Sequence, residues 1–446
     1  MRIIRQKGGT SLRIIGLRCR LGARTRSSRG PAALLALVCL FAFTVAPRAA
    51  TGGPQVEIKW LEWWVNEWGP ANHAKLIADF EKANPSIKVT VVDTQYPQMA
   101  GKLNAAAAGG ENYDVFGTEG SWLSGLNKLG YVEDLSPWLA KDKAFADSLT
   151  SVTPLKLFGK TLALALYLIP YQFAYNVDYF SKAQLKAPTS WDEFVQVEKR
   201  LRDKAAGKYG MSMPLSDGGF ILTRYFGFRL AQEGGKLFDD NGKVVFNSPQ
   251  GIAALTWWRD FYSMGLVVPG SLGENQTQML EFLASGQVST IIDGPFIWSK
   301  AKQIDPNIKL AYAPAWRART GGYFWGTSGV GMSAKSPNKE AAWRFIQYLY
   351  SKDASVSMTK TISLPWATKA AMESLKGSSD PMLKYVPEFA GQDPGHNLLE
   401  PVLPEATKLD DALKISFQDA VTGKKAPKQA LDEAAAVWQA ELDKAK

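Results

Sequence analysis

From residue 56 onward, short apolar runs alternate with stretches of helical period. Val56–Trp63 reads as a strand. Pro70 opens a helix with Leu76, Ile77, Phe80 and Ala83 on one face, and Asn84–Pro85 stops it. Ile87–Val92 is a second strand, Pro97–Ala108 a helix ending at Gly109–Gly110, Tyr113–Gly117 a third strand and Ser121–Leu129 the helix after it. A β-α-β-α-β-α order predicts a mostly parallel sheet with helices on both faces.

The pattern then resets. Gly159–Lys160 turns into the apolar run Thr161–Ile169, which ends at Pro170–Tyr171. Ser190 with Glu193 reads as a capping box for a helix through Arg202. Ser248–Pro249 starts a helix carrying Ile252, Leu255, Trp258 and Tyr262, and Val288–Asp293 is a strand broken by Gly294–Pro295. Ser336–Pro337 caps a helix through Tyr350, and Ala426–Pro427 precedes a final Ala-rich helix. No Pro/Ser-rich linker divides the body, so two lobes have to be joined by crossings of the chain.

Composition changes the picture at one end only. The 446 residues carry a net charge of +10, yet residues 1–50 hold ten basic residues and no acidic one. Without them 42 basic residues face 42 acidic ones. The remaining chain therefore lacks the basic excess that nucleic-acid binding uses, and no such partner is expected. Ala32–Val45, preceded by basic residues and followed by Ala46, Ala49 and Ala50, reads as the core of a signal peptide within residues 1–50, too short to span a bilayer. The expected location is the periplasm. Cys19 and Cys39 both fall in this leader, which removes thiol catalysis and Cys-based zinc sites from the exported chain.

Aromatic residues gather at three strand ends, where open α/β sheets bind ligands. Trp60, Trp63, Trp64 and Trp68 crowd the end of the first strand beside Asn66 and Glu67. Gly117-Thr118-Glu119-Gly120-Ser121-Trp122 follows the third strand, and Asp293-Gly294-Pro295-Phe296-Ile297-Trp298 follows a later one. Each ring taken singly suits a core as well as a site. Together they suit sugars, which offer C–H patches to an aromatic face and hydroxyls to carboxylates and amides.

Enzyme signatures are absent: there is no GxGxxG after a strand, no Walker A motif and no HExxH. Ser336-Pro337-Asn338-Lys339 matches SxxK, but Pro337 gives it a helix-start meaning. His73 reads as a surface or packing residue and His396, in the loop Gly391–Asn397, as a ligand candidate. No catalytic residue, metal or cofactor is expected.

With these stretches in place, the chain resembles the extracellular solute-binding proteins of family 1, the maltose-binding-protein-like components of ATP-binding cassette importers. The resemblance covers roughly residues 55–446. It rests on Trp63–Trp64, Leu76 to Pro85, Tyr113-Asp114-Val115, Gly159–Lys160 leading to Ala174-Tyr175-Asn176, Asp293-Gly294-Pro295, SPNKEAAWRFIQYL at Ser336–Leu349, and Leu364–Pro365. It implies an α/β, two-lobed periplasmic-binding-protein fold, each lobe a mostly parallel sheet flanked by helices and joined by hinge crossings. The crossings are expected near Leu168–Phe173, Trp325–Gly329 and Leu364–Trp366. One lobe then holds residues 55–168 and 329–364, and the other 170–326 and 366–446. By the same resemblance, Trp63, Trp64, Glu67, Glu119, Trp122, Phe296, Trp298, Tyr171, Trp325 with Gly326, and Trp366 fall at ligand-contact positions. Leu164–Tyr171 is more apolar than the acid-bearing form of many sugar binders.

The expected function is capture of a sugar, mono- or oligosaccharide, by hinge closure of a monomer, with delivery to an inner-membrane permease. Two alternatives stay open: a charged solute such as a glycerol phosphate or polyamine, with Arg317 and Arg319 as the nearest cations, and an exported glycoside hydrolase.

Overall fold

The computed structural model describes residues 55–445; the expected signal peptide and both cysteines lie outside the described residues. The strands and principal helices, in chain order, are β1 Val56–Glu62, α1 Pro70–Ala83, β2 Ile87–Asp93, α2 Tyr96–Ala107, β3 Val115–Glu119, α3 Gly120–Lys128, β4 Pro154–Leu157, β5 Lys160–Pro170, β6 Gln172–Asn176, α4 Trp191–Leu201, β7 Tyr209–Met211, α5 Pro249–Ser263, α6 Gln276–Ser285, β8 Val288–Asp293, α7 Ile297–Ile304, β9 Leu310–Tyr312, β10 Phe324–Met332, α8 Lys339–Leu349, β11 Leu398–Leu399, α9 Ala406–Val421 and α10 Pro427–Ala445. The described residues form one compact unit containing two sheets.

The first sheet has the order β2-β1-β3-β10-β5-β4, with β11 added to β10; the second has the order β7-β8-β6-β9. Both are mixed rather than mostly parallel. β1, β2 and β3 are parallel, as βαβ units with α1 and α2 between them require. β10 and β5, which arrive from or depart to the other lobe without that crossover, run antiparallel to β3, to each other and to β4, while short β11 pairs parallel with β10. The apolar run expected as a strand becomes β5, buried from Thr161 to Pro170 between β10 and β4.

The chain leaves the first sheet at Tyr171, the residue between β5 and β6. It returns between Tyr312 and Phe324, ahead of the expected Trp325–Gly329 crossing. A third segment lies against β5, with Leu168 N donating to Pro365 O and Ala367 N to Leu166 O.

Two helix starts differ from expectation. At α4, Ser190 Oγ accepts from Glu193 N, but the Glu193 carboxylate reaches past it to Thr189 N and Oγ. The reciprocal capping box forms instead at α6, between Asn275 and Gln278. At α8 the N-cap is Asn338; Ser336 Oγ accepts from Asn338 N and donates to buried Asp114, tying this helix to the loop before β3.

Candidate ligand-binding site

β1 ends at Glu62, and the tryptophans beyond it form one packed cluster. Trp64 has no exposed surface. Its ring stacks on Trp68 (centroids 5.1 Å, 6°) and lies 6.0 Å from Trp60. Trp68 meets Trp366, and Trp60 stacks on His73. Glu62, also fully buried, accepts from Trp64 N and lies 3.3 Å from His73 Nε2. His73 thus holds down a buried carboxylate at the head of α1. Trp63 packs on Trp64 (centroids 4.3 Å, 43°) and carries the cluster outward to the edges of Tyr96 and Trp122. Gly117 of β3 permits this: a Cβ there meets the Trp63 ring at 2.7 Å and the Trp64 ring at 3.0 Å.

Trp63 is one wall of a cavity of about 260 Å³. From the first sheet's side come Glu119 at the end of β3, Tyr167 and Ile169 of β5, Ser328 of β10 and Tyr96 of α2. From the second come Asp217, Phe220, Thr223, Arg224, Gln276, Phe296, Lys300 and Asp410, with Glu67, Tyr171 and Glu400 also in the lining. An outer groove of about 610 Å³ shares Glu67, Phe296 and Lys300 with the cavity and adds Asn66 and Trp298. Compact pockets of a few hundred Å³ with few polar groups suit small ligands.

Arg224 sits on a six-residue π-helical turn, Ile221–Phe226, an uncommon geometry that often marks functional sites. Its Nε and Nη2 both lie 2.9 Å from Asp293 Oδ1, and its Nη1 donates to Thr223. Asp293 also accepts from Gln276 and Gly294 N. The guanidinium covers the rings of Phe220 (3.5 Å) and Tyr171 (4.3 Å). Tyr171, 6 % exposed, packs over Gly326, where a Cβ meets its hydroxyl at 2.5 Å.

Carboxylates outnumber cations here. Glu119 accepts from Ser328 Oγ at 2.8 Å, yet burial and the nearby Glu400 push it well above the ordinary carboxylate range. Burial raises Glu400 to about 7 against a backbone hydrogen bond from Thr327 and the field of Arg224. Asp410 rises to about 7 through burial and then the charges of Glu400 and Asp217.

Five expected site residues therefore line the cavity: Trp63, Glu67, Glu119, Tyr171 and Phe296. Asn66 and Trp298 line the outer groove, Gly326 underlies Tyr171, and Trp122 buttresses Trp63. The others are elsewhere. Trp64 and Trp366 are fully buried in the aromatic core, where Trp366 Nε1 donates to Leu349 O. Trp325 is 3 % exposed and serves through its backbone, its carbonyl accepting from Glu400 N. His396 pairs with Asp393 at 2.9 Å, away from the cavity lining. Arg317 and Arg319 face Asp393 and Glu233 outside it. Sequence reading missed Tyr167, Asp217, Arg224, Glu400 and Asp410. Only Arg224 left a signal, as a lone cation in the apolar run Ile221–Phe226, the mark of a buried, paired charge.

Two α/β lobes with a ligand-sized cavity walled by both define a binding protein of the periplasmic type. The chain belongs to the bacterial extracellular solute-binding proteins, whose family model matches residues 69–356, more than half its length. It is 26% identical over 373 residues to a binding protein of Brucella abortus (strain 2308), covering 82% of this chain and 88% of that one. It is 24% identical to the galactooligosaccharide-binding protein of Bacillus subtilis (strain 168), covering 80% of this chain and 84% of that one. Among solved structures, a Thermotoga lettingae ABC-transporter solute-binding protein bound with α-D-tagatose superposes with a TM-score of 0.72 at 22% identity, over 87% of this chain and 100% of that one. These similar proteins are binding proteins, not enzymes. Among the described residues, no helix is long and apolar enough to cross a membrane.

Proposed function

We propose that the protein captures a saccharide in the inter-lobe cavity and passes it to an inner-membrane importer without chemical change. One observation carries this reading: aromatic faces from both lobes, Trp63 from one and Phe220 and Phe296 from the other, meet around carboxylates and an oriented guanidinium. The rings suit the C–H faces of a pyranose; Glu119, Glu67 and Thr223 suit its hydroxyl rim. The sugars named for the relatives point the same way. The outer groove shares its wall with the cavity, so room exists for a second sugar unit.

The hinge in this reading is the Tyr171 junction, the segment leading into β10 and residues 364–366, with lobes near the boundaries the resemblance implies. Closure brings both walls onto the sugar; a ligand that contacts both binds the closed state better and shifts the population toward it. The closed form is then the one the permease reads. A glycerol phosphate fits poorly, because Arg224 is already held by Asp293 and carboxylates dominate the rest of the wall.

The test is a thermal-shift panel of mono-, di- and oligosaccharides with sugar phosphates. A sugar at a hundred times its Kd stabilises the fold by about 2.7 kcal/mol. A panel in which no saccharide moves the melting point, or release of shorter products from an oligosaccharide, overturns the reading.

A further inference from the structure

The cavity's charge is not that of a site built for a neutral guest alone. Glu67, Glu119, Asp217, Glu400 and Asp410 all line it; Glu400 raises Glu119 and Asp410, Asp217 raises Glu400 and Asp410, and among the described residues Glu119, Glu400 and Asp410 form no ion pair, Lys414 acting on Asp410 only through its field. Of the two lining cations, Arg224 is committed to buried Asp293, easing Glu400 only through its field. Lys300 lies over the Phe296 ring at 5.1 Å, donates to Gln276, and acts on Glu67 at the mouth. Sugar hydroxyls donate hydrogen bonds but bring no charge, so a neutral sugar leaves this repulsion in place.

A second observation marks the same wall. Tyr171 is 94 % removed from solvent and lines the cavity, with its ring under Arg224, yet its hydroxyl has no hydrogen-bond partner among the described residues. The hydroxyl opens onto the cavity, so a ligand there meets a donor and acceptor that no side chain has taken. It stands beside the carboxylates, where it offers a polar contact to whatever they hold.

We propose that the guest is a cationic carbohydrate, an amino sugar or a short oligosaccharide with a free ammonium group, held with that group among Glu119, Glu400 and Asp410. This deepens the saccharide reading and rests on it. The ammonium supplies the positive charge the cluster lacks and donates to more than one carboxylate, while the ring stacks as any pyranose does.

The experiment is isothermal titration at pH 7.5 of matched sets: D-glucosamine and D-galactosamine against the parent hexoses and the N-acetyl forms, and chitosan oligosaccharides against their N-acetylated counterparts. Spermidine is the sugar-free control. The free amine is expected to bind about tenfold or more tighter than both counterparts, with the preference shrinking in high salt. Glu400→Gln and Asp410→Asn, each isosteric, are expected to cut the preference while leaving or raising the ligand-free melting point, because each removes a repelling charge. Hexoses or N-acetyl forms that bind as tightly as the amines overturn the inference and leave the saccharide reading standing. Spermidine binding as tightly as the amino sugars, or no binding by any member, overturns both.

Discussion

Trp63 and Trp64 are adjacent in sequence, both shielded from water (5 % and 0 % exposed) and packed ring to ring with centroids 4.3 Å apart, yet only Trp63 reaches the cavity. Trp64 joins Trp60, Trp68 and Trp366 in a continuous aromatic core that fixes the end of β1. Trp63, one peptide further back, faces the cavity from a pedestal of Tyr96 and Trp122. β1 stops at Glu62, and the turn into the short helix Val65–Trp68 layers the two rings at 43°, with Trp63 outermost against the cavity and Trp64 behind it. Residue type and proximity do not separate a structural indole from a site indole; the turn after the strand does.

The largest effect expected from this contrast is on stability. Trp64→Ala opens a void in the stacked cluster and is expected to cost about 3–5 kcal/mol, read by urea denaturation. Saccharide affinity of the molecules that remain folded is expected to fall less than in Trp63→Ala, because Trp64 only backs the Trp63 ring. A Trp64→Ala variant of near-normal stability breaks the comparison.

Gly117→Ala tests the point where the two regions touch. Its Cβ meets ring atoms of both tryptophans at 3.0 Å or less, so overpacking of about 1–3 kcal/mol is expected. Unlike Trp64→Ala, it is expected to weaken saccharide binding as well, since Trp63 has to tilt. Loss of stability with binding intact shows that Trp63 is not held in register by this contact.

Trp63→Ala carries the complementary expectation. On the proposed function it loses one stacking face, worth roughly 1–1.5 kcal/mol, or about tenfold in Kd by titration calorimetry. Its stability loss is expected to be smaller than that of Trp64→Ala. Equal affinity for saccharides in wild type and variant moves the ligand off this wall.

Much of the fold was legible before any coordinates. Strand and helix alternation from β1 to α3 follows from apolar period and Pro/Gly punctuation, β5 from an uninterrupted apolar run, and β8 from β-branched residues stopped by Gly294–Pro295. What the pattern does not encode is which strands return from the other lobe, because antiparallel entry of β10 depends on residues hundreds of positions apart. The site divides in the same way. Glu119, Glu67 and Phe296 follow directly on strand ends or the turns after them, where sequence rules look for ligands. Glu400 and Asp410 reach the cavity only because β11 pairs with β10 and α9 packs against α5 and the π-helical turn Ile221–Phe226, and nothing local announces that. Trp366 misled for the converse reason: a large ring at a crossing is also a good core filler.

The smallest effect is a difference between two buried carboxylates, one in a lobe core and one in the cavity. Glu198 in α4 accepts from Thr290 Oγ1 and is raised by burial to about 8; Glu400 is raised to about 7. Both have an ordinary value of 4.5, so the folded state binds protons that the unfolded chain has released. Stability of the ligand-free protein therefore falls as pH rises from 4.5, through about 7 for Glu400 and about 8 for Glu198. Glu400→Gln is expected to flatten the lower part of that decline, and Glu198→Gln to flatten it up to about pH 8. A saturating ligand that touches Glu400 alters only the first component, because Glu198 lies in the core of its lobe, fully excluded from solvent. Melting curves across pH, with and without ligand, for both variants separate the two. If ligand erases the Glu198 component as well, core and cavity are electrostatically one region, and the distinction drawn between Trp64 and Trp63 does not extend to charge.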